Sequence, residues 1–391
     1  MHYTKREREV MLSICIITKN EQQNIERCLQ CLQPYPFEIV VVDTGSTDKT
    51  KEIALKYTEN VYDFAWCDDF GAAKNYAISK AENEYVMVLD SDEFLEPLEA
   101  ARLEQLIMQH PQQVGRIKRR NLMTRNGQKQ ENVEWINRIF SKKRFHYEGR
   151  IHEQVMALDG CDYDTYKTPV VIEHSGYDLP EAERKKKAER NITLLLQELE
   201  RLEAEQKSHN TGQGEAESTQ SEMEAVQDGL TAADEKLPYI LYQLGKSYYM
   251  AGDYALSCEY FSRGLSFDLN PKLEYVIDMV ETYGYALINS GRAEEALFFE
   301  NIYEEFGNSA DFQFLMGLIY MNNAKFEEAV AEFLKAAEQT ECRTLGVNSY
   351  LAYYNIGVVY ECLGHETEAA KYYEKCGDYA PAVKQLTGLI K

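Results

Sequence analysis

The sequence predicts an α/β domain built on a mixed, largely parallel sheet, followed by an all-α domain of repeated helix pairs. Apolar strand patterns alternate with amphipathic helix patterns over residues 12–90, which is typical of parallel α/β sheets. Short extended runs follow over residues 114–174, and a glycine-anchored pattern recurs from residue 237 onward. The 391 residues are enough for two domains that each bury a core.

The first domain opens with successive strand–helix units. In chain order they are a strand at 12–18, a helix at 21–33, a strand at 37–43, a helix ending near residue 57, a weak strand at 61–64, a helix at 69–80 and a strand at 85–90. Consecutive units of this kind imply parallel strands joined by right-handed crossovers. The first ninety residues therefore resemble one nucleotide-binding half of a doubly wound sheet.

The strand at 85–90 ends in two acids, Asp90 and Asp92. In an extended chain this spacing sends both carboxylates to one side. Open α/β sheets bind ligands beyond the carboxyl ends of their strands, where such a pair can hold Mg²⁺ or Mn²⁺ against a diphosphate. Acids also follow strands in ordinary solvated turns, so these two acids predict a metal site only if other motifs of the chain support it.

Neither of the two common phosphate loops, Gly-x-Gly-x-x-Gly and Gly-x-x-x-x-Gly-Lys-Ser/Thr, lies between these strands and helices. Nucleotide binding would then rest on acids and a metal ion. That combination resembles the GT-A fold, a Rossmann-like mixed sheet, of family 2 glycosyltransferases. Residues 18–21 are similar to the loop after the family's first strand, residues 42–48 to the segment that holds base and ribose, and residues 90–92 to the metal-binding motif.

The resemblance implies a nucleotide-sugar site with an identifiable set of side chains. Its expected members are Thr18, Asn20, Glu21, Asp43, Ser46, Asp69, Lys74, Asn75, Asp90, Ser91 and Arg138, with Asp92 on the metal. Asp69 and Asn75 belong to a further family signature at residues 66–75. Family members often carry arginine where this chain has Lys74, so a bidentate phosphate contact becomes a point-charge contact.

The basic segment 116–150 has two interpretations. Its cations either lie on solvated strand and loop faces or, Arg138 especially, lie near the sugar diphosphate. Residues 147–153 and 172–177 resemble motifs of a narrower group, bacterial family 2 enzymes with a C-terminal tetratricopeptide domain, including the S-glycosyltransferases of glycocin biosynthesis. Glu153 is the candidate general base. His174 is either a further metal ligand or a packed structural histidine.

The chemistry implied by the resemblance is a single, inverting sugar transfer. The uridine of a UDP-sugar would lie over Asp43 and Asp69, the Asp92-bound cation would bridge the diphosphate, and Asp90 would contact ribose or a metal-bound water. The cation acts as a Lewis acid for the leaving group. The Gln-x-x-Arg-Trp motif of processive polysaccharide synthases is absent.

A charged helix is expected at 184–205, either packing beneath the sheet or leading out of it, and a flexible linker at 203–236, whose composition offers little surface to bury. Four helix pairs follow, anchored by the glycines at 245, 284, 317 and 357. The expected domains are thus residues 1–180, a helix and acidic linker at 181–236, and tetratricopeptide repeats at 237–391. The repeats would offer a concave face to a peptide or another subunit, and an aromatic, uncapped C-terminal segment suggests a homodimer.

Composition excludes some partners. The net charge of −23 disfavours nucleic acid and anionic lipid. Nine scattered cysteines with no secretory signal fit a reducing cytoplasm, and Cys28 and Cys31, the closest pair, fall in a helix pattern without the second pair of a zinc site. No apolar run approaches the roughly 20 residues of a membrane span.

Three functions remain open from the sequence. The first is a cytoplasmic peptide glycosyltransferase. The second is an envelope enzyme that glycosylates a lipid-linked or lipopolysaccharide-type oligosaccharide, for which the segment 116–150 could supply a membrane-facing surface. The third is a repeat scaffold with a vestigial nucleotide site, against which the joint presence of Asp43, Asp90, Asp92, Glu153 and His174 argues. The sugar, the linkage atom and the acceptor are not encoded in any recognised motif.

Overall fold

The computed structural model describes residues 12–125, 128–174, 181–212 and 232–389. The chain divides into two compact units, Met1–Pro180 and Glu181–Lys391. The boundary lies in a segment, 175–180, outside the described residues.

The described part of the first unit contains ten strands and four helices. The strands are β1 Leu12–Thr18, β2 Glu38–Asp43, β3 Val61–Asp63, β4 Tyr85–Asp90, β5 Glu93–Leu95, β6 Val114–Arg125, β7 Gln128–Ser141, β8 Phe145–Glu148, β9 Gln154–Ala157 and β10 Thr165–His174. The helices are α1 Ile25–Leu32, α2 Thr50–Ala54, α3 Phe70–Lys80 and α4 Ala100–Gln109.

Eight of these strands form one mixed sheet in the order β3-β2-β1-β4-β7-β6-β10-β5. The first four are parallel, as the alternating strand and helix patterns predicted. β7 runs antiparallel to both β4 and β6, β10 is parallel to β6, and β5 closes the edge antiparallel to β10. β8 and β9 form a separate hairpin. The mixed α/β fold predicted for this part of the chain is confirmed.

The central strands are apolar because both faces of the sheet are covered. In β1, Ile14 and Ile16 join a core with α1 and α4, whereas Cys15 and Ile17 join a second core with α3 and the β8–β9 hairpin. All seven residues of β1 are buried. A strand buried on both faces reads as a continuous apolar run instead of an alternating one.

The described part of the second unit is helical. Its elements are α5 Glu181–Gly212, α6 Ala232–Ala251, α7 Tyr254–Gly264, α8 Glu274–Asn289, a 3₁₀ helix Glu295–Ile302, α9 Tyr303–Phe306, α10 Ala310–Asn322, α11 Phe326–Glu338, α12 Tyr350–Cys362, α13 Glu366–Glu374 and α14 Ala380–Leu389. Within this part, α6 pairs with α7, α8 with the 3₁₀ helix that precedes α9, α10 with α11, and α12 with α13. None of the described helices is both long and apolar enough to cross a bilayer.

Two expectations for this region need correction. Residues 203–212 and 232–236, assigned to the linker, are helical, because α5 packs along α6 and Glu203 pairs with Arg263 of α7 at 2.8 Å. The remainder of the predicted linker, 213–231, lies outside the described residues. Helix α5 belongs to the second unit. The last helix pair is not uncapped, because α14 packs on α13 and buries Ala382.

The anchor glycines of three pairs face an aromatic ring of the second helix. A Cβ atom built on Gly317 would lie 2.5 Å from the Phe333 ring. Gly245 faces Phe261 and Gly357 faces Tyr373 in the same way. In each case the ring follows the glycine by 16 positions. These glycines permit a helix–helix approach that any side chain would prevent.

The second pair departs from this pattern. The residue 16 positions after Gly284 is Glu300, and Gly284 instead faces Leu315 of α10. The second member of this pair is the 3₁₀ helix followed by the four-residue α9. Loss of the aromatic partner therefore accompanies loss of a regular second helix.

Replacing Gly317 by alanine should destabilise the second unit by about 1–3 kcal/mol, because the added methyl overpacks the fully buried Phe333 ring. Urea unfolding followed by far-UV circular dichroism reports on these helices. Gly388→Ala in α14 is the matched control, since nothing lies within 4 Å of its added Cβ. Equal midpoints for the two variants would contradict the close-approach explanation.

Candidate active site

The site lies at the carboxyl edge of the parallel strands. Strand register places Thr18, at the end of β1, beside Asp43 at the end of β2, and places Ile17 beside Asp90 at the end of β4. Three separate segments of the chain thus deliver polar side chains to one edge of the sheet. This is the position at which open α/β sheets bind ligands.

Two buried polar atoms at this edge have no hydrogen-bond partner within the described part of the chain. They are Thr18 Oγ1 and Asp43 Oδ2, on side chains that are each 3% exposed. The other oxygen of Asp43 accepts hydrogen bonds from the backbone N–H groups of Gly45 and Ser46 at 2.9 and 2.7 Å. Buried polar groups without a hydrogen-bond partner are costly. A ligand that forms hydrogen bonds with both of them would remove that cost.

The predicted site residues in the loops after β1 and β2 are linked by hydrogen bonds. Asn20 donates from its backbone N–H to Ser46 Oγ at 2.9 Å and accepts at Oδ1 from the backbone N–H of Thr47 at 2.7 Å. Asn20 has a left-handed backbone, with φ of 55°, which asparagine tolerates better than most residues. Glu21 donates from its backbone to Thr50 Oγ1 at 2.7 Å. These residues shape the loops that flank Asp43.

Two residues of the expected nucleotide signature have structural partners. Asp69 caps the N-terminus of α3 by accepting the Ala72 N–H at 2.7 Å. Asn75 donates from Nδ2 to the Tyr147 carbonyl and accepts the Tyr147 N–H, at 2.8 and 2.9 Å. Both ends of the Asn75 amide are therefore bound to β8 and do not face the sheet edge. Ser91 is buried between the two acids.

The segment that carries Glu153 is fixed along the start of α3. Phe70 donates its N–H to the Arg150 carbonyl at 2.8 Å. A Cβ on Gly71 would lie 2.6 Å from the Gly149 carbonyl oxygen, so the two backbones touch. These contacts, with the Asn75 amide, bring a residue far along the sequence to the sheet edge.

Lys74 and Arg138 join the acids of the site into a chain of alternating charges. Lys74 Nζ lies 2.6 Å from Glu153 Oε1 and 3.1 Å from Asp90 Oδ1. Arg138 Nη2 lies 2.9 Å from Asp90 Oδ2 and 3.2 Å from Glu93 Oε1. Glu93 also accepts the Asp90 N–H at 2.9 Å. Lys74, expected on phosphate, is instead a buried bridge between two carboxylates.

A β-bulge directs Arg138 into this chain. Along β7, Gly115 of β6 pairs with Ile139 and Arg116 pairs with Asn137, so Arg138 is the extra residue. Bulges redirect side chains in this manner. β4 and β7 pair only over the first half of β4, Tyr85–Met87, and Arg138 reaches Asp90 beyond the point where the two strands separate.

The chain of charges continues to the far edge of the sheet. Arg119 Nη1 lies 3.2 Å from Glu93 Oε1, and Arg119 Nη2 lies 2.8 Å from Glu134 Oε1. Asn121 donates from Nδ2 to Glu134 at 2.5 Å and turns its Oδ1 toward His174 Nδ1 at 2.8 Å. That contact places a proton on Nδ1 of His174.

The predicted metal residues meet at this end. His174 pairs in register with Glu93 of β5, which brings Asp92 beside it, and His174 Nε2 lies 3.4 Å from Asp92 Oδ2. Because Nδ1 faces Asn121, Nε2 is the ring nitrogen on the side of the Asp92 carboxylate. An imidazole nitrogen and a carboxylate oxygen are both ligands of divalent metals, so these residues fit a divalent ion. Within the described residues, no group of three or more metal-ligating side chains is assembled, so water and substrate would complete the shell.

The charges explain the protonation states. Burial alone would raise the pKa of Asp90, but Lys74 and Arg138 hold it well below its usual range. Burial and Arg138 act to lower the pKa of Lys74, yet Asp90 and Glu153 leave it raised. Asp90 is thus ionised and Lys74 charged over the physiological range.

Four residues of this network were not predicted from the sequence. They are Glu93, Arg119, Asn121 and Glu134. Among the described residues and with His174 neutral, the network holds five carboxylates against one lysine and two arginines, which leaves a formal excess of two negative charges. One divalent cation would balance it. Of these four residues, only Glu93 could have been suspected from the sequence, because it directly follows Asp92.

Comparison with known families identifies both units. Residues 13–156 match the model of glycosyl transferase family 2, and residues 310–341 and 350–383 match a tetratricopeptide repeat model. The first unit therefore carries a family 2 glycosyltransferase domain, and the second unit carries tetratricopeptide repeats.

Individual relatives agree with this assignment over part of their length. The SPbeta prophage-derived glycosyltransferase SunS of Bacillus subtilis is 26% identical over 199 residues, which are 49% of this chain and 45% of SunS. A TPR repeat-containing protein of Synechococcus elongatus is 39% identical over 84 residues, 22% of this chain and 21% of that protein. The chain thus spans less than half the length of these two curated relatives. The crystal structure of S. aureus TarS aligns with 84% of this chain and 55% of its own, at 15% identity and a TM-score of 0.34.

Replacing Lys74 by methionine should destabilise the first unit by about 3–5 kcal/mol, because the substitution leaves two carboxylates facing each other in a largely buried site. Both tryptophans, Trp66 and Trp135, lie in the first unit, so their fluorescence during urea unfolding reports on it alone.

The control is Lys80→Met on the same helix. The Lys80 ammonium lies over the Tyr76 ring at 4.6 Å, and its loss should cost about 1 kcal/mol or less. Equal losses for the two variants would show that Lys74 is no more than a surface charge.

Proposed function

We propose that the protein transfers one sugar, with inversion, from a UDP-sugar to a side chain of a peptide or protein, with the aid of one divalent cation. The observation that supports this most strongly is the meeting of Asp92 and His174, two metal-type ligands, at the sheet edge that also carries Asp43 and Asp90. The family 2 domain supplies the reaction class.

Asp43 and Thr18 are the proposed contacts for the uracil ring. Uracil carries one N–H donor between two carbonyl oxygens. A carboxylate oxygen accepts that N–H, and a neighbouring hydroxyl donates to a carbonyl. The orphan oxygens of Asp43 and Thr18 offer this pair in adjacent strands. Asp69 remains a candidate for a contact with the uridine only in addition to its hydrogen bond at the N-terminus of α3.

Asp92 and His174 are the residues that would hold Mg²⁺ or Mn²⁺. When bound, the cation would neutralise the diphosphate and stabilise the leaving group as a Lewis acid. Arg138 and Lys74 act differently: they keep Asp90 ionised and oriented at the end of β4. Asp90 is then available to ribose or to a water molecule at this edge.

Glu153 is the proposed general base. Lys74 contacts Glu153 through Oε1, so Oε2 is the oxygen assigned to receive the acceptor proton. The ion pair fixes the carboxylate in position within the site, as a base requires before transfer.

The acceptor is proposed to be a Cys, Ser or Thr side chain. The resemblance to the S-glycosyltransferases of glycocin biosynthesis supports it, as does the presence of a repeat array. The envelope alternative needs a free cationic surface, but cations of the basic segment, including Arg119, Arg120, Arg138 and Lys143, pair with carboxylates of the same unit. The internal pairing favours the peptide acceptor.

Two further properties belong to the same proposal. The nine cysteines are all free, which supports a reducing, cytoplasmic location. A homodimer through the repeats is retained as a hypothesis, although α14 covers the end whose exposure first suggested it. Light scattering on the full chain tests it.

UDP should bind at least roughly tenfold more tightly with Mn²⁺ than with excess chelator, and Asp92→Asn should abolish the difference, since lost metal ligation typically costs this much or more. Isothermal calorimetry measures both. Asp63→Asn, an exposed acid at the end of β3, is the control and should behave as wild type. A metal-independent wild type would exclude the assigned cation.

Glu153→Gln should reduce transfer by roughly 10²–10⁴ while UDP-sugar affinity is retained, the usual signature of a lost general base. Mass spectrometry of Cys- and Ser-bearing peptides incubated with UDP-glucose or UDP-N-acetylglucosamine reads the product. Lipid-linked sugars form the second acceptor arm. Turnover confined to that arm would replace the peptide acceptor by the envelope alternative, and undiminished transfer by Glu153→Gln would place the base elsewhere.

A further inference from the structure

The second unit contains a cluster of largely buried charges that the transfer reaction does not use. It draws on the first helices of three successive pairs and on the loop 339–349 between α11 and α12. Its members are Tyr242 and Lys246 on α6, Asp278 and Glu281 on α8, Asp311 on α10 and Arg343 in the loop. We call these six residues the acidic recess.

Glu281 is the incompletely satisfied member of the recess. Its side chain is 8% exposed, and Oε2 contacts the Arg343 guanidinium. Oε1 is buried and has no hydrogen-bond partner among the described residues. Burial raises the pKa of Glu281 to about 8, with Arg343 opposing the rise and Asp311 and Asp278 adding to it. The recess is therefore short of positive charge at Glu281.

The other acids of the recess already have partners. Asp278 Oδ2 accepts from Tyr242 OH at 2.6 Å and contacts Lys246 Nζ at 2.9 Å. Asp311 accepts the backbone N–H groups of Arg343 and Thr344 at 2.8 and 2.9 Å. Among the described residues, Glu281 Oε1 is the buried carboxylate oxygen of the recess that has no hydrogen-bond partner. The Arg343 guanidinium contacts the other oxygen of Glu281.

Arg343 can leave Glu281 without unfolding the loop. Asp311 fixes the backbone at Arg343, whereas the Arg343 side chain is 36% exposed. The loop is an insertion: the anchor glycines on either side of it, 317 and 357, are 40 positions apart, against 33 for the preceding pair. Rotation of one solvent-facing side chain would open Glu281 to a ligand.

We propose that Glu281 binds an arginine side chain of a polypeptide partner, and that Arg343 occupies this site in the free protein. The chain's own guanidinium shows which chemistry the recess accepts. A guanidinium carries five donors in a planar fork and can bond both oxygens of a carboxylate at once. An arginine arriving from solvent could thus satisfy Oε1 and Oε2 together, which Arg343 does not. A lysine ammonium is a point charge without this planar fork, so we expect it to bind Glu281 more weakly than an arginine does.

The site is independent of the sugar transfer, since every residue of the recess lies in the second unit and the test measures binding alone. The probe is a blocked pentapeptide with a single arginine between glycines, titrated into the full-length protein at physiological salt. Peptides with lysine or citrulline in place of arginine are the matched ligands. Binding is followed by fluorescence polarisation of a tagged peptide.

Arg343→Ala should bind the arginine peptide roughly tenfold more tightly than wild type, because the internal competitor is gone. Glu281→Gln should bind no better than the background set by the citrulline peptide. Glu305→Gln removes the same charge from an exposed position and should match wild type. Because burial raises the pKa of Glu281 and loss of Arg343 removes a group that lowers it, the affinity of Arg343→Ala should rise as the pH increases above neutrality, and Glu281→Gln should lack this rise.

Circular dichroism melting of each variant establishes that the helices remain folded, and Arg343→Met replaces Arg343→Ala if the alanine variant does not fold. Equal affinity of wild type and the Arg343 variant, or equal affinity for the arginine and citrulline peptides, overturns the proposal. Retained binding by Glu281→Gln does so as well, since it would assign the peptide to the general negative charge of the protein.

Discussion

The alternating chain of charges from Glu153 through Lys74, Asp90 and Arg138 to Glu93 is the interaction on which the first unit depends most. It fills the opening where β4 separates from β7. Each ion in it is buried or half-buried, and each would be costly alone. Because Lys74 and Arg138 hold the pKa of Asp90 well below its usual range, this acid stays ionised without metal or substrate.

This arrangement separates two tasks that a sequence motif does not distinguish. Asp90 and Asp92 are two residues apart, yet Asp90 is held by protein cations whereas Asp92 lies beside His174, 3.4 Å away. The two acids have different partners because of the sheet topology. The chain leaves the inner strand β4 after Asp90 and enters β5, which pairs with β10 at one edge of the sheet. One carboxylate is thereby held by cations of the chain itself, and the other is the proposed ligand of a divalent ion.

The second unit obeys a simpler constraint. Close helix pairs need a glycine opposite an aromatic ring, and where the ring is absent, after Gly284, the regular second helix is absent too. The same stacking assembles polar residues from successive first helices into one recess. An insertion that interrupts the repeat period supplies Arg343 to it. Regular packing and its local interruption therefore have different consequences, one for stability and one for recognition.

The sequence by itself determined the order of strands and helices in the first ninety residues, the parallel half of the sheet, the repeat anchors and the residue types at the strand ends. Those features are written in local periodicity and in short motifs, which depend on neighbours along the chain. Tertiary structure alone decided that Lys74 is a buried bridge, that Asn75 fastens β8, that a bulge directs Arg138 inward, and that Glu93, Arg119 and Glu134 belong to the site. A charged residue on a strand can face solvent or an opposite charge that is far away in sequence. Which of these occurs depends on strand register and on where neighbouring strands separate. The hydrophobic periodicity of the sequence carries no information about either.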